Sequence, residues 1–170
     1  MKRLLPGLLL LALLSPASRA APEYPGMGPD IFDRQAKGEE LVAQAVTRAQ
    51  QEGKRVVLLF GANWCPWCRR LHHAFTDDPG VVAILRRSFV LVHVDANTRN
   101  DKKRNADIIA RYGNPLLKYG LPAIVVLEAD GRQLTTQETV SWAAPADEEV
   151  ARRVAAFLAD WAPGVKQSPR

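Results

Sequence analysis

The chain has 170 residues, 47% of them hydrophobic, and a formal net charge of +5. That is one domain's worth of sequence, long enough to bury its own core. Three of the cations, Lys2, Arg3 and Arg19, fall in the first 20 residues; without them the charge is only +2, which gives no basis for nucleic-acid binding. The chain opens Met1-Lys2-Arg3, runs through the apolar stretch 8–14, and reaches Ala20 through small residues. A basic start, a short apolar stretch and small residues at the −3 and −1 positions read as a secretory signal peptide over 1–20, cut after Ala20. The apolar run falls short of the roughly 18 residues a spanning helix needs. Pro6-Gly7 also interrupts its start, so no stable membrane insertion is expected after cleavage.

Residues 21–36 contain Pro22, Pro25, Gly26, Gly28 and Pro29 and read as a flexible leader. A single domain is expected over 37–162, with 163–170 as a C-terminal tail. Its first helix spans about 37–51, where Leu41, Val42, Ala45, Val46 and Ala49 recur at helical spacing, and Gly53 ends it. Residues 55–60 form a continuous apolar strand of the kind buried on both faces. A helix follows over 66–75, broken at Asp77-Asp78-Pro79-Gly80, then a short helix over 81–87 and a strand over 89–95. The polar stretch 96–104 reads as a solvated loop, with Arg99, Lys102, Lys103 and Arg104 around Asp101. Asp95 and Asn97 are expected to end the strand and shape a turn. A helix near 105–112 stops at Gly113, and a loop leads to Gly120-Leu121-Pro122. A strand over 123–128, a turn at Ala129-Asp130-Gly131 and a strand over 132–136 form a hairpin. Asp147 is expected to cap a last helix that runs to Trp161. Crossover helices impose a parallel strand pair early, and the late hairpin adds antiparallel strands. The expected class is therefore α/β, with a mixed sheet between helices on both faces.

The only two cysteines lie in Trp64-Cys65-Pro66-Trp67-Cys68, where the apolar strand turns into a helix. Cys65 falls at the helix N-cap, with Pro66 at the first helical position, where proline is favoured. Free N–H groups and the helix dipole at that end favour a thiolate over a thiol. Cys68 lies one turn further, within reach of a disulfide. As a passive staple such a bridge is weak: a four-residue loop is worth about 2 kcal/mol against about 4.7 for a hundred-residue one. The placement therefore favours redox chemistry.

With these elements in place, the chain resembles the thioredoxin-like superfamily. The resemblance rests on the strand leading into Trp64-Cys65-x-x-Cys68, the strand ending Val94-Asp95-Ala96-Asn97, Leu121-Pro122 before a strand, and Asp130-Gly131 in the following hairpin. It covers roughly 53–161, and the extra N-terminal helix and Gly61-Ala62-Asn63-Trp64-Cys65 are similar to bacterial secreted members. The resemblance implies a thioredoxin-like fold and a cis Pro122 beside the cysteines. It also implies catalysis by Cys65 and Cys68, with substrate bound along Trp64, Pro66, Trp67, Leu121 and Pro122. Partners would be cysteine-containing proteins or peptides and a separate redox partner, in a bacterial periplasm or outside the cell. No cofactor is implied beyond the Cys65–Cys68 disulfide.

The chain departs from the family in three places. Pro66-Trp67 stands between the cysteines; Leu59 occupies a position often acidic; and Leu91 occupies one often held by lysine. Deprotonation of Cys68 then depends on water, substrate or another group. Trp64 and Trp67 admit two readings, an apolar platform for substrate or packing within the fold. Cys65, Cys68 and His72 share a helix face, but the chain lacks a second ligand pair, so no metal site is expected. Of His72 and His73, one is expected to face solvent and the other to pack on a neighbouring helix; His93 reads as a satisfied sheet residue. The alternative to an enzyme is a binding module of the same fold with a static disulfide.

Overall fold

The computed structural model describes residues 21–143 and 146–165. The expected signal peptide (1–20) and most of the expected tail (166–170) lie outside the described residues. The elements are α1 (Gly38–Glu52), β1 (Arg55–Gly61), α2 (Pro66–Thr76), α3 (Pro79–Ser88), β2 (Phe89–Asp95), α4 (Ala106–Arg111), α5 (Pro115–Tyr119), β3 (Ala123–Leu127), β4 (Gln133–Glu138) and α6 (Asp147–Asp160).

The strands form one mixed sheet in the order β2-β1-β3-β4. β1 runs parallel to β2, with Leu59 opposite His93, and antiparallel to β3, with Leu58 opposite Val125. β4 closes one edge antiparallel to β3. Successive side chains of β1 point to opposite faces, and both faces are covered, which is why the strand is apolar throughout. Val57 and Leu59 pack with Ile124 and Val126 under Leu71 and Phe75 of α2, Val81 and Leu85 of α3, and Val154 and Leu158 of α6. Val56, Leu58 and Phe60 pack with Val125 and Leu127 under Val42, Ala45 and Ala49 of α1 and Ile108 of α4. The expected α/β class, a mixed sheet between two helical layers with a helix before the first strand, is the architecture observed.

Three local expectations need correction. The break at 77–80 is itself a helix start: the Asp78 side chain accepts the Val81 N–H at 2.9 Å, and Pro79 takes the first helical position. Likewise the loop after Gly113 contains α5, since Asn114 takes a left-handed conformation (φ 52°) that turns the chain into Pro115. Residues 21–36 are not a free leader. Phe32 is fully buried in the α2 layer. Its backbone N–H and that of Ile31 both reach Asn63 Oδ1 at 2.9 Å. Gly61 makes room for it, because a Cβ there would overlap the Phe32 ring. One buried aromatic and one buried amide hold a segment that has no periodicity of its own.

Candidate functional site

β1 delivers the chain to the sheet's end, and Cys65 caps the helix that follows. Its backbone is extended (φ −90°, ψ 112°), Pro66 begins α2, and Cys65 Sγ accepts the Cys68 N–H at 3.1 Å. This is the arrangement that stabilises negative charge on sulfur. Cys65 and Cys68 are joined as a disulfide. Cys68 is completely buried and Cys65 is 5% exposed, so an incoming group meets Cys65 first.

Trp64, Cys65 and Leu121 line one groove of about 400 Å³, together with Ala96, Leu116 and Leu117. Leu117 is 88% exposed, an apolar side chain left at the rim. The Leu121–Pro122 bond is cis. Pro66 is exposed, and Trp67 is half-buried. Trp67 donates its indole N–H to Thr139 Oγ1 at 3.2 Å, and Thr139 in turn donates to the Pro122 carbonyl at 2.7 Å. The sequence-derived residues therefore fall into two groups, one around the groove and one joined through Thr139.

Trp64 is held by the loop after β2. Its N–H reaches Asn97 Oδ1 at 2.9 Å, and the Arg99 guanidinium lies 3.7 Å from its ring centroid. Asn97 does shape the turn, as expected, by accepting the Arg99 N–H, but it also holds Trp64. The loop is not simply solvated. Arg104 bridges Glu23 (2.7 and 2.8 Å) and the buried Asp95 (2.6 Å), and Lys102 pairs with Glu23 at 2.7 Å. The Arg104 hydrogen bond holds the Glu23 carboxyl well down, at about 2. Burial pushes Asp95 upwards against the pull of Arg104.

Beneath the pair, Leu59 is fully buried and Leu91 half-buried, so neither supplies an acid or base. His72, further along α2, packs on β2 rather than on a helix. Its Nδ1 lies 2.9 Å from His93 Nε2. One ring must donate and the other accept. Burial, then the neighbouring His72 charge, pushes His93 down to about 4; burial and His73 lower His72. His73 is exposed and pairs with Asp77. No group of three or more His, Cys, Asp or Glu side chains that could hold a metal ion occurs among the described residues.

Asn63, Asn97, Arg99, Thr139 and the Glu23–Arg104 pair are the site's supports that sequence reasoning missed. Asn97 and Asn63 stood in quoted motifs, at the end of the strand and just before Trp64, but their supporting contacts, like those of the others, join distant segments.

A family model described as a thioredoxin-like domain matches residues 42–143. The chain is 30% identical over 97 residues to the Thiol:disulfide interchange protein DsbD of Colwellia psychrerythraea. The match covers 57% of this chain but only 15% of that much longer protein. Among solved structures, a disulphide isomerase from Xylella fastidiosa Temecula1 superposes with a TM-score of 0.63 at 26% identity, covering 75% of this chain and 95% of that one. A DsbH oxidoreductase superposes with a TM-score of 0.50 at 19% identity, covering 88% and 93%, a likeness of fold alone.

Proposed function

This chain belongs to the thioredoxin-like domain family, and from that premise we propose that it is a secreted thiol–disulfide oxidoreductase working through Cys65 and Cys68. The fold is thioredoxin-like, and a Cys-x-x-Cys pair in that fold with a disulphide isomerase as structural neighbour supports an enzyme of this class. One observation carries the assignment of roles. Cys65 is the sulfur that opens onto the groove and accepts an N–H from the start of α2, while Cys68 is wholly enclosed behind it.

In the reducing direction, the Cys65 thiolate attacks one sulfur of a substrate disulfide. An S–S bond forms to Cys65, the substrate S–S bond breaks, and a substrate thiolate leaves and takes up a proton. Cys68 then loses its proton and attacks Cys65 Sγ. The Cys65–Cys68 disulfide forms and the second substrate thiolate departs. Two electrons pass from protein to substrate, and a separate dithiol partner must return them. Exchange of the reductase or isomerase type fits a site in which Trp67 places no positive charge between the sulfurs. Cysteine-bearing polypeptides are the substrates that suit an apolar groove with Trp64, Leu116 and Leu117 in its walls. The N-terminal sequence pattern supports a periplasmic or secreted location.

The test is the reduction potential of the protein against glutathione. A value of about −270 mV makes it a reductant that needs an electron supply, and about −120 mV a donor of disulfides. In the Cys68→Ala variant the mixed disulfide should persist and can be isolated with its substrate. A pair with no reversible couple refutes the enzyme and favours a binding module.

A further inference from the structure

The segment before α1 reaches the redox site through hydrogen bonds that span more than 70 residues. We propose that Glu23 and Tyr24 are positioning residues for disulfide exchange, acting through Asn97 on Trp64. This rests on the oxidoreductase reading above and adds to it a part of the chain outside the matched domain.

Asn97 is the pivot. Its side-chain oxygen accepts two hydrogen bonds, from Trp64 Nε1 and from the Arg99 backbone N–H, each at 2.9 Å. Both partners are donors only, so the amide oxygen must face them and the NH₂ must face acceptors. Those acceptors are Tyr24 Oη at 3.0 Å and Glu23 Oε2 at 3.4 Å. Asn97 is fully buried, so water is not at hand to replace them.

Glu23 is fixed in turn. Its side chain is 8% exposed and takes Lys102 and both terminal nitrogens of Arg104. Arg104 also binds Asp95, whose carboxylate accepts the Asn97 backbone N–H at 3.1 Å. The ring of contacts closes on Asn97 from two sides. Without Glu23 and Tyr24 the buried NH₂ loses its partners, and the amide that holds Trp64 is fixed on its oxygen side alone. Trp64 immediately precedes Cys65 and lines the same groove. A loosened indole misplaces a wall along which a polypeptide disulfide must lie to reach Cys65.

The test is a double-mutant cycle on the full-length protein, with Trp64→Phe as the second change. The readout is the second-order rate constant at which the reduced protein attacks the disulfides of insulin. Glu23→Ala should slow attack about tenfold, and Tyr24→Phe about threefold, in the wild-type background. In the Trp64→Phe background, which has no indole N–H to position, each should change the rate by less than about twofold. A merely structural role predicts the same loss in both backgrounds, and that result, or no loss in either, overturns the inference. Should Glu23→Ala fail to fold, Tyr24→Phe, which removes one hydroxyl, decides alone. Wild-type protein that never attacks insulin or glutathione disulfides overturns the oxidoreductase reading and this inference with it; wild-type activity with an unchanged Tyr24→Phe variant overturns the inference only.

Discussion

Trp64 and Trp67 each donate an indole N–H to a buried acceptor, Asn97 and Thr139, but what stands behind the two acceptors differs. Behind Thr139 is one neutral link, its hydroxyl on the Pro122 carbonyl. Behind Asn97 is a charged assembly of Glu23, Asp95, Lys102 and Arg104, drawn from both sides of β1 in sequence. The same local tether is thus built once from a short neutral contact and once from a long-range ionic one. The first should be insensitive to pH and salt; the second should respond to both, and should involve a larger part of the molecule when it fails.

The widest separation between the two sides should come from Asn97→Ala. It leaves the Trp64 and Arg99 N–H groups and the Tyr24 hydroxyl without their partner, and should lower unfolding free energy by about 3 kcal/mol in a denaturant titration. Acid should then split the sides. His93 is held down near 4 from an ordinary 6.5, so the unfolded chain takes the proton first. Stability should fall between those values by at most about 3 kcal/mol. A second loss follows lower down. Glu23 is held near 2 from an ordinary 4.5, so its contribution is present above 4.5 and disappears as pH falls through 2. Asp95 opposes this, since burial raises its folded pKa and protonation relieves the cost of its charge. Melting curves across pH should show both steps, the upper reduced by His93→Leu to the share of His72 and the lower removed by Glu23→Gln. Only Trp64 emission, isolated in a Trp67→Phe background, should follow the lower step.

On the neutral side, Thr139→Val removes one hydroxyl that serves two bonds, and should cost about 1–2 kcal/mol with no change in the acid profile. An altered profile would mean that the two tethers are coupled through the disulfide. The smallest effect belongs to Arg99→Ala. Loss of a half-solvated cation–π contact should cost less than about 1 kcal/mol while making Trp64 more accessible to acrylamide quenching.

What could be read from the sequence divides along the same line. β1, α2 and the Cys65 cap are written locally, in an apolar run, a Pro66 at the first helical position and a cysteine pair one turn apart. They emerge with boundaries shifted by a residue or so. Pro79 falls within the expected break and Pro115 within the expected loop, yet each begins a helix, because an X-Pro step marks a boundary without saying on which side the helix lies. Residues 21–36 were illegible for a different reason. Their order depends on Phe32 finding Asn63 and Gly61, and on Glu23 finding Arg104, and no periodicity announces a contact of that kind. The cation cluster at 99–104 read as a solvated loop because its acidic partner lies some 80 positions earlier.

The Glu23–Arg104 contact also sets an order of events during synthesis. Residues 21–32 are made before their long-range partners; Asn63 follows 31 positions after Phe32, and Arg104 follows 81 after Glu23. The first part of the domain to be made must therefore wait for β1, α2 and β2 to be translated before it can settle. Closing so long a loop adds entropy cost only slowly with length, but it does slow the search. A nascent chain paused before residue 104 would hold both cysteines and the strand that carries them, with the N-terminal segment still unanchored at Glu23.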